Sequence, residues 1–184
     1  IDSSDLTLNV SREILQQNRV MAKIKSNSVK KVLDKIKTIS KNKDKYEGFY
    51  NEFGRLLKEG VYQEFEHKEA LTELLRFKST KEDGYVSLQD YLDRMGSNQE
   101  SIYYITGTNE SALRESPLLE MYKKKDIEVL ILDDEIDEII MPSIPTFKEK
   151  SLKSVNRSGA ADELSDEDDK DKKDELKPLI KKVK

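Results

Sequence analysis

Apolar residues recur at helical spacing near the start of the chain. Ile14, Leu15, Met21, Ile24, Val32, Leu33, Ile36 and Ile39 fall on one stripe of a 3.6-residue period. Ser11 suits the N-cap of this long helix and Glu13 its first turn. Asp44 opens a second helix with an aromatic stripe, Tyr46, Phe49, Tyr50 and Phe53, continued by Leu56 and Leu57 and closing at Gly60. A third helix is predicted from His67 to Phe77 on Ala70, Leu71, Leu74 and Leu75. Residues 78–97 read as a loop around a short helix capped by Ser87, with Leu88, Tyr91, Leu92 and Met95 inward.

The texture then changes. Ile102–Ile105 is β-branched and aromatic, and Glu128–Leu132 is apolar enough for a strand buried on both faces. Between them Asn109–Lys125 is helical, restarted by Ser116-Pro117. Strand, helix, strand at this spacing predicts a βαβ unit, so the class is α/β, as a mixture of helical coil and a small sheet. From Pro142 the pattern decays, with Phe147 and Leu152 able to reach the sheet.

Charge sharpens this division. Between Arg12 and Lys45 eleven basic residues face three acidic ones; between Asp162 and Glu175 nine acidic face three basic. The second stretch, in residues 156–176, reads as a charged linker, and 177–184 as the start of another domain. The chain opens IDSSDL without methionine and ends PLIKKVK, so an interior segment of a longer protein is expected. Cysteine is absent and His67 is the only histidine, which excludes disulfides, thiolate nucleophiles and zinc sites built from these residues. No run of 18 apolar residues suggests a membrane span.

Three places can carry chemistry. Arg12, at a helix start with Gln16 and Gln17 one turn on, offers a planar fork suited to phosphate or to a surface carboxylate. Asp133, Asp134, Glu135, Asp137 and Glu138, beyond a strand end, could hold magnesium or form a solvated turn. Ile139, Ile140 and Met141 are either core or an exposed protein-binding patch. A basic nucleic-acid-binding helix would need Lys23, Lys25, Lys30, Lys31, Lys35 and Lys37 on one face, yet they spread around the apolar stripe.

LNVSREILQQNRV, FYNEFGRLLKEGV, ALTELLRFKST, VSLQDYLDRM, SIYYITG and VLILDDEIDE stand here in the order found in the heat-shock protein 90 family. Over residues 1–150 the chain resembles the distal middle segment of such a chaperone, closer to the bacterial HtpG branch. The resemblance implies boundaries: a catalytic loop and closing helix over 1–42, a helical coil over 43–78, a small α/β subdomain over 79–155, then the linker and a C-terminal dimerisation domain. It implies that ATP and magnesium are bound mainly by an N-terminal domain absent from this chain, with no cofactor held here. Arg12 would reach the γ-phosphate, with Gln16 beside it, and Leu6, Leu8 and Asn9 would form the docking loop. Thr7 replaces the family's usual proline in that loop. Glu138, Ile139 and Met141 would face client proteins; Ile139 stands where bacterial relatives often carry tryptophan. The implied partners are unfolded clients, the protein's own N-terminal domain and a second copy, with neither nucleic acid nor membrane, in the cytoplasm.

Overall fold

The computed structural model describes residues 19–157, so Ser11, the expected start of the first helix, and the greater part of the linker lie outside the described residues. Helix α1 (Arg19–Ile39) turns sharply into α2 (Lys43–Gln63), whose N-cap is Asn42, two residues before the expected Asp44. The Asn42 side chain accepts from Lys45 N at 3.0 Å, satisfying one of the first-turn donors. Helix α2 runs through Gly60, whose carbonyl accepts from Glu64 N. At Gly54 a Cβ would lie 2.8 Å from the Tyr50 ring, so only glycine lets that ring lie against its own helix. Helix α3 (Lys68–Leu74) ends three residues before the expected Phe77, because Phe77 and Lys78 become extended.

The sheet follows. Its strands are β1 (Lys78–Ser79), β2 (Ser101–Thr106), β3 (Val129–Leu132), β4 (Thr146–Phe147) and β5 (Lys150–Ser154), ordered β1-β3-β2-β5-β4. Strands β2 and β3 are parallel, with Tyr103 opposite Val129, as the βαβ reading requires. The intervening helices α5 (Glu110–Arg114) and α6 (Glu120–Lys124) are separated where Ser116 caps a turn beginning at Pro117. Helix α4 (Leu88–Arg94) starts at the expected Ser87, with Asp90 completing a capping box. The remaining helix, α7 (Glu135–Ile140), stands where an acidic turn was expected.

Alternation along the central strands makes two cores. Ile102, Tyr104, Leu130 and Leu132 join Tyr46, Tyr50, Leu57 and Val61 of α2 on one face. Tyr103, Ile105, Val129 and Ile131 join Leu113, Leu119 and Tyr122 on the other. Burial on both faces is why these strands read as unbroken apolar runs. Val155 closes the second core, and Asn156, expected in the linker, is still tied down: its Oδ1 accepts from Thr106 N at 2.9 Å.

The β4–β5 hairpin turns through Lys148 and Glu149, both with positive φ, 46° and 68°. Side chains other than glycine and asparagine adopt this conformation at a cost of about 1 kcal/mol. Glu149→Gly is therefore expected to raise unfolding stability by ~1 kcal/mol, read as a higher urea midpoint with an unchanged slope. A lower midpoint would show that the turn is held by the glutamate side chain instead.

Candidate functional site

Helix α7 begins at Asp134, whose carboxylate accepts from Ile136 N while Asp137 reaches back to Asp134 N, a reciprocal cap. Ile136 and Ile140, four residues apart, share the inward face and are buried. That leaves Glu138 and Ile139 turned to solvent, Ile139 58% exposed. Met141, expected beside them on a client-facing patch, is instead 2% exposed within the main core. The chain bends into a short turn there, and the methionine swings under the sheet with Ile140. The expected three-residue patch thus reduces to Glu138 and Ile139.

The neighbouring carboxylates are committed to lysines. Lys58, on α2 and itself buried, lies 2.8 Å from Asp137 Oδ1 and 3.5 Å from Asp134 Oδ2. Lys78 lies 2.7 Å from Asp133 and 2.8 Å from Glu110. Burial raises the Asp137 pKa above its ordinary value, and the charge of Lys58 opposes that rise. Among the described residues no group of three or more His, Asp or Glu is placed to hold a metal ion. The run DDEIDE is a helix cap locked to α2 and β1, whereas a solvated turn or a cation site was the expectation.

A second polar knot holds β3 to α4. Glu128 is buried and accepts from Arg94 Nη2 at 2.6 Å, Arg94 Nε at 3.0 Å and Ser79 Oγ at 2.5 Å. Tyr91, wholly buried, donates to the Glu128 carbonyl at 2.7 Å. The basic residues of α1, Lys23, Lys25, Lys30, Lys31 and Lys35, are exposed, and Lys37 pairs with Glu73 of α3. His67 sits in a short turn before α3. Arg12, Gln16, Leu6, Leu8 and Asn9 lie outside the described residues. Lys58 carried a weak signal in advance: it borders the apolar stripe of α2, flanked by Leu57 and Val61.

The description "Hsp90 protein" belongs to a family model that matches residues 1–184, the whole chain. The chain belongs to the Hsp90 family. It is 50% identical over 185 residues to chaperone protein HtpG of Borrelia garinii subsp. bavariensis, and 51% over 193 residues to that of Treponema denticola. The HtpG of Aliarcobacter butzleri is 53% identical over 188 residues. Each alignment covers 100% of this chain and 30% of the relative, so this Hsp90-family chain spans about 30% of the length of those chaperones. Among solved structures, the middle domain of a Plasmodium falciparum heat shock protein superposes with a TM-score of 0.71 at 31% identity, covering 77% of this chain and 61% of that one. The expected family, the bacterial HtpG branch and the α/β class are all borne out. No described helix is long and apolar enough to cross a membrane.

Proposed function

We propose that this chain is the part of an ATP-dependent chaperone that couples nucleotide hydrolysis to client binding. The match of the whole chain to the family, including the SRE motif at Ser11-Arg12-Glu13, is the observation that carries the reading. Arg12 is the group assigned to the γ-phosphate of ATP held by an N-terminal domain, with Gln16 beside it and Leu6, Leu8 and Asn9 as the docking loop. A permanently charged, forked donor supplied by one domain to another stabilises transferring charge only when the two close together. ATP and magnesium are assigned to that other domain, which fits the commitment of Asp133, Asp134 and Asp137 to lysines. The whole protein works as a cytoplasmic homodimer in this reading, with the subdomain boundaries that the family implies.

Clients are assigned to the outer face of α7. Ile139 stands exposed beside an exposed carboxylate, Glu138, on a helix held rigidly from behind. Ile139→Asp in the full-length protein is expected to weaken binding of a partly unfolded client by ~1–3 kcal/mol. Because the side chain is 58% exposed, the thermal transition should stay in place. Met141→Asp is the matched control: a carboxylate in the core should lower the transition by itself. Client affinity unchanged by Ile139→Asp would remove α7 from the client surface.

The 184-residue chain on its own is expected not to bind ATP. Calorimetry with ATP and magnesium at micromolar protein should give only heats of dilution, and a stoichiometric site would contradict the assignment of the nucleotide to another domain.

A further inference from the structure

Arg76 leaves α3 toward β1 as a half-buried residue. Burial lowers its pKa below the ordinary arginine value, only partly offset by the rings and carboxylate around it. Its carbon centre lies 4.4 Å from the centroid of the Tyr46 ring. Nη1 donates to the carbonyls of Glu73 at 3.2 Å and Leu75 at 2.8 Å. Three other cations of this region have carboxylate partners: Lys58 has Asp137, Lys78 has Asp133, and Arg94 has Glu128. No carboxylate among the described residues forms an ion pair with Arg76. Asp90 attracts it without reaching ion-pair distance, and of the five guanidinium donors only those on Nη1 have a partner among the described residues.

Arg76 lines a cleft of about 350 Å³ between the α1–α2 turn, the first turns of α2 and the start of α4. Lys41 and Lys43, both exposed, stand at its edge on the α1–α2 turn. Glu47, Glu82 and Asp90 also line it; Asp90 Oδ2 accepts from Ser87 N and Ser87 Oγ, and its charge also acts on Arg76. Arg94, another lining residue, is held by Glu128. The cleft therefore suits one small anionic group and repels a polyanion.

We propose that this cleft is an anion-binding site, where Arg76 takes a carboxylate or phosphate group through donors that have no partner among the described residues and Lys41 and Lys43 draw the anion in. The planar guanidinium presents parallel N–H groups at the spacing of paired oxyanion oxygens. The cleft is not lined by α7 and does not rest on the assignment of clients or nucleotide.

The test is a titration of the isotopically labelled 184-residue chain with sodium phosphate and, separately, sodium acetate, at ionic strength held constant with sodium chloride. Saturable shifts of the Arg76 side-chain N–H and the Tyr85 and Ser87 amides are expected, with a dissociation constant on the order of millimolar. Saturation by phosphate alone identifies a phosphate site, by acetate alone a carboxylate site, and by both a general oxyanion site. Failure of both to saturate overturns the proposal. Arg76→Met should abolish the shifts and Arg76→Lys keep them at reduced affinity. Arg76 also supports the α3 end, so the exposed pair Lys41→Glu with Lys43→Glu carries the test if those variants unfold. That pair should weaken binding tenfold or more with an unchanged thermal transition, and unaltered affinity would overturn the site.

Discussion

Arg12→Ala in the full-length protein is expected to cut ATP turnover on the order of 10²-fold or more, the scale of losing one donor to developing transition-state charge. Nucleotide affinity should change little, since the base and ribose are assigned to another domain. Arg12→Lys should recover only part of the rate: lysine restores the charge but loses the planar fork. The measurement is steady-state turnover beside nucleotide affinity for the same protein. If turnover survives and only the thermal transition falls, Arg12 is a structural ion-pair residue and the assignment fails.

The second large effect lies at the seam between α2 and α7. Lys58→Met should destabilise the chain by about 3–5 kcal/mol at neutral pH, because it strands the Asp137 charge in the interior. The Asp137 side chain is 1% exposed and its pKa is already raised by burial, with Lys58 acting against the rise. Without the lysine that pKa climbs further above its unfolded value. The native state then binds the extra proton first, so the variant gains stability as pH falls through the folded-state pKa. The deficit against the parent chain should accordingly narrow between pH 7 and pH 5 in urea unfolding. Pairing Lys58→Met with Asp137→Leu should recover most of the loss at pH 7, since neither charge is left stranded. A deficit equal at both pH values would mean that Lys58 acts through its alkyl stem alone.

How far the sequence speaks for the structure depends on which signal each residue carries. The helices up to Leu74 and the strands β2 and β3 were legible because their apolar spacing is dense: Tyr46, Tyr50, Leu57 and Val61 on α2, Val129 to Leu132 on β3. Strand β5 was not, since KSLKS holds one apolar residue and its place is set by pairing with β2. Strand β1 is two residues long and exists only through its partner β3. Helix α7 was hidden by charge: DDEIDE reads as solvated unless the three-residue spacing of Asp134 and Asp137 is taken as a capping signal. The outward face of Ile139 and the inward face of Met141 could not be separated from spacing, because the helix ends between them. Arg76 carried no signal, as its place in the cleft depends on which side chains the fold brings around it.

The position of β5 bears on how load would pass through the molecule. Although it is the last strand described, it lies inside the sheet, with β2 on one side and β4 on the other. Asn156, just past its end, grips both the amide and the carbonyl of Thr106 at the end of β2. A pull on the chain beyond Arg157, directed along β5, loads its hydrogen bonds to β2 together in shear; they cannot open one at a time as in a peeled edge. Such a pull would thus be handed to the centre of the sheet, and through the Leu130 and Leu132 packing to α2.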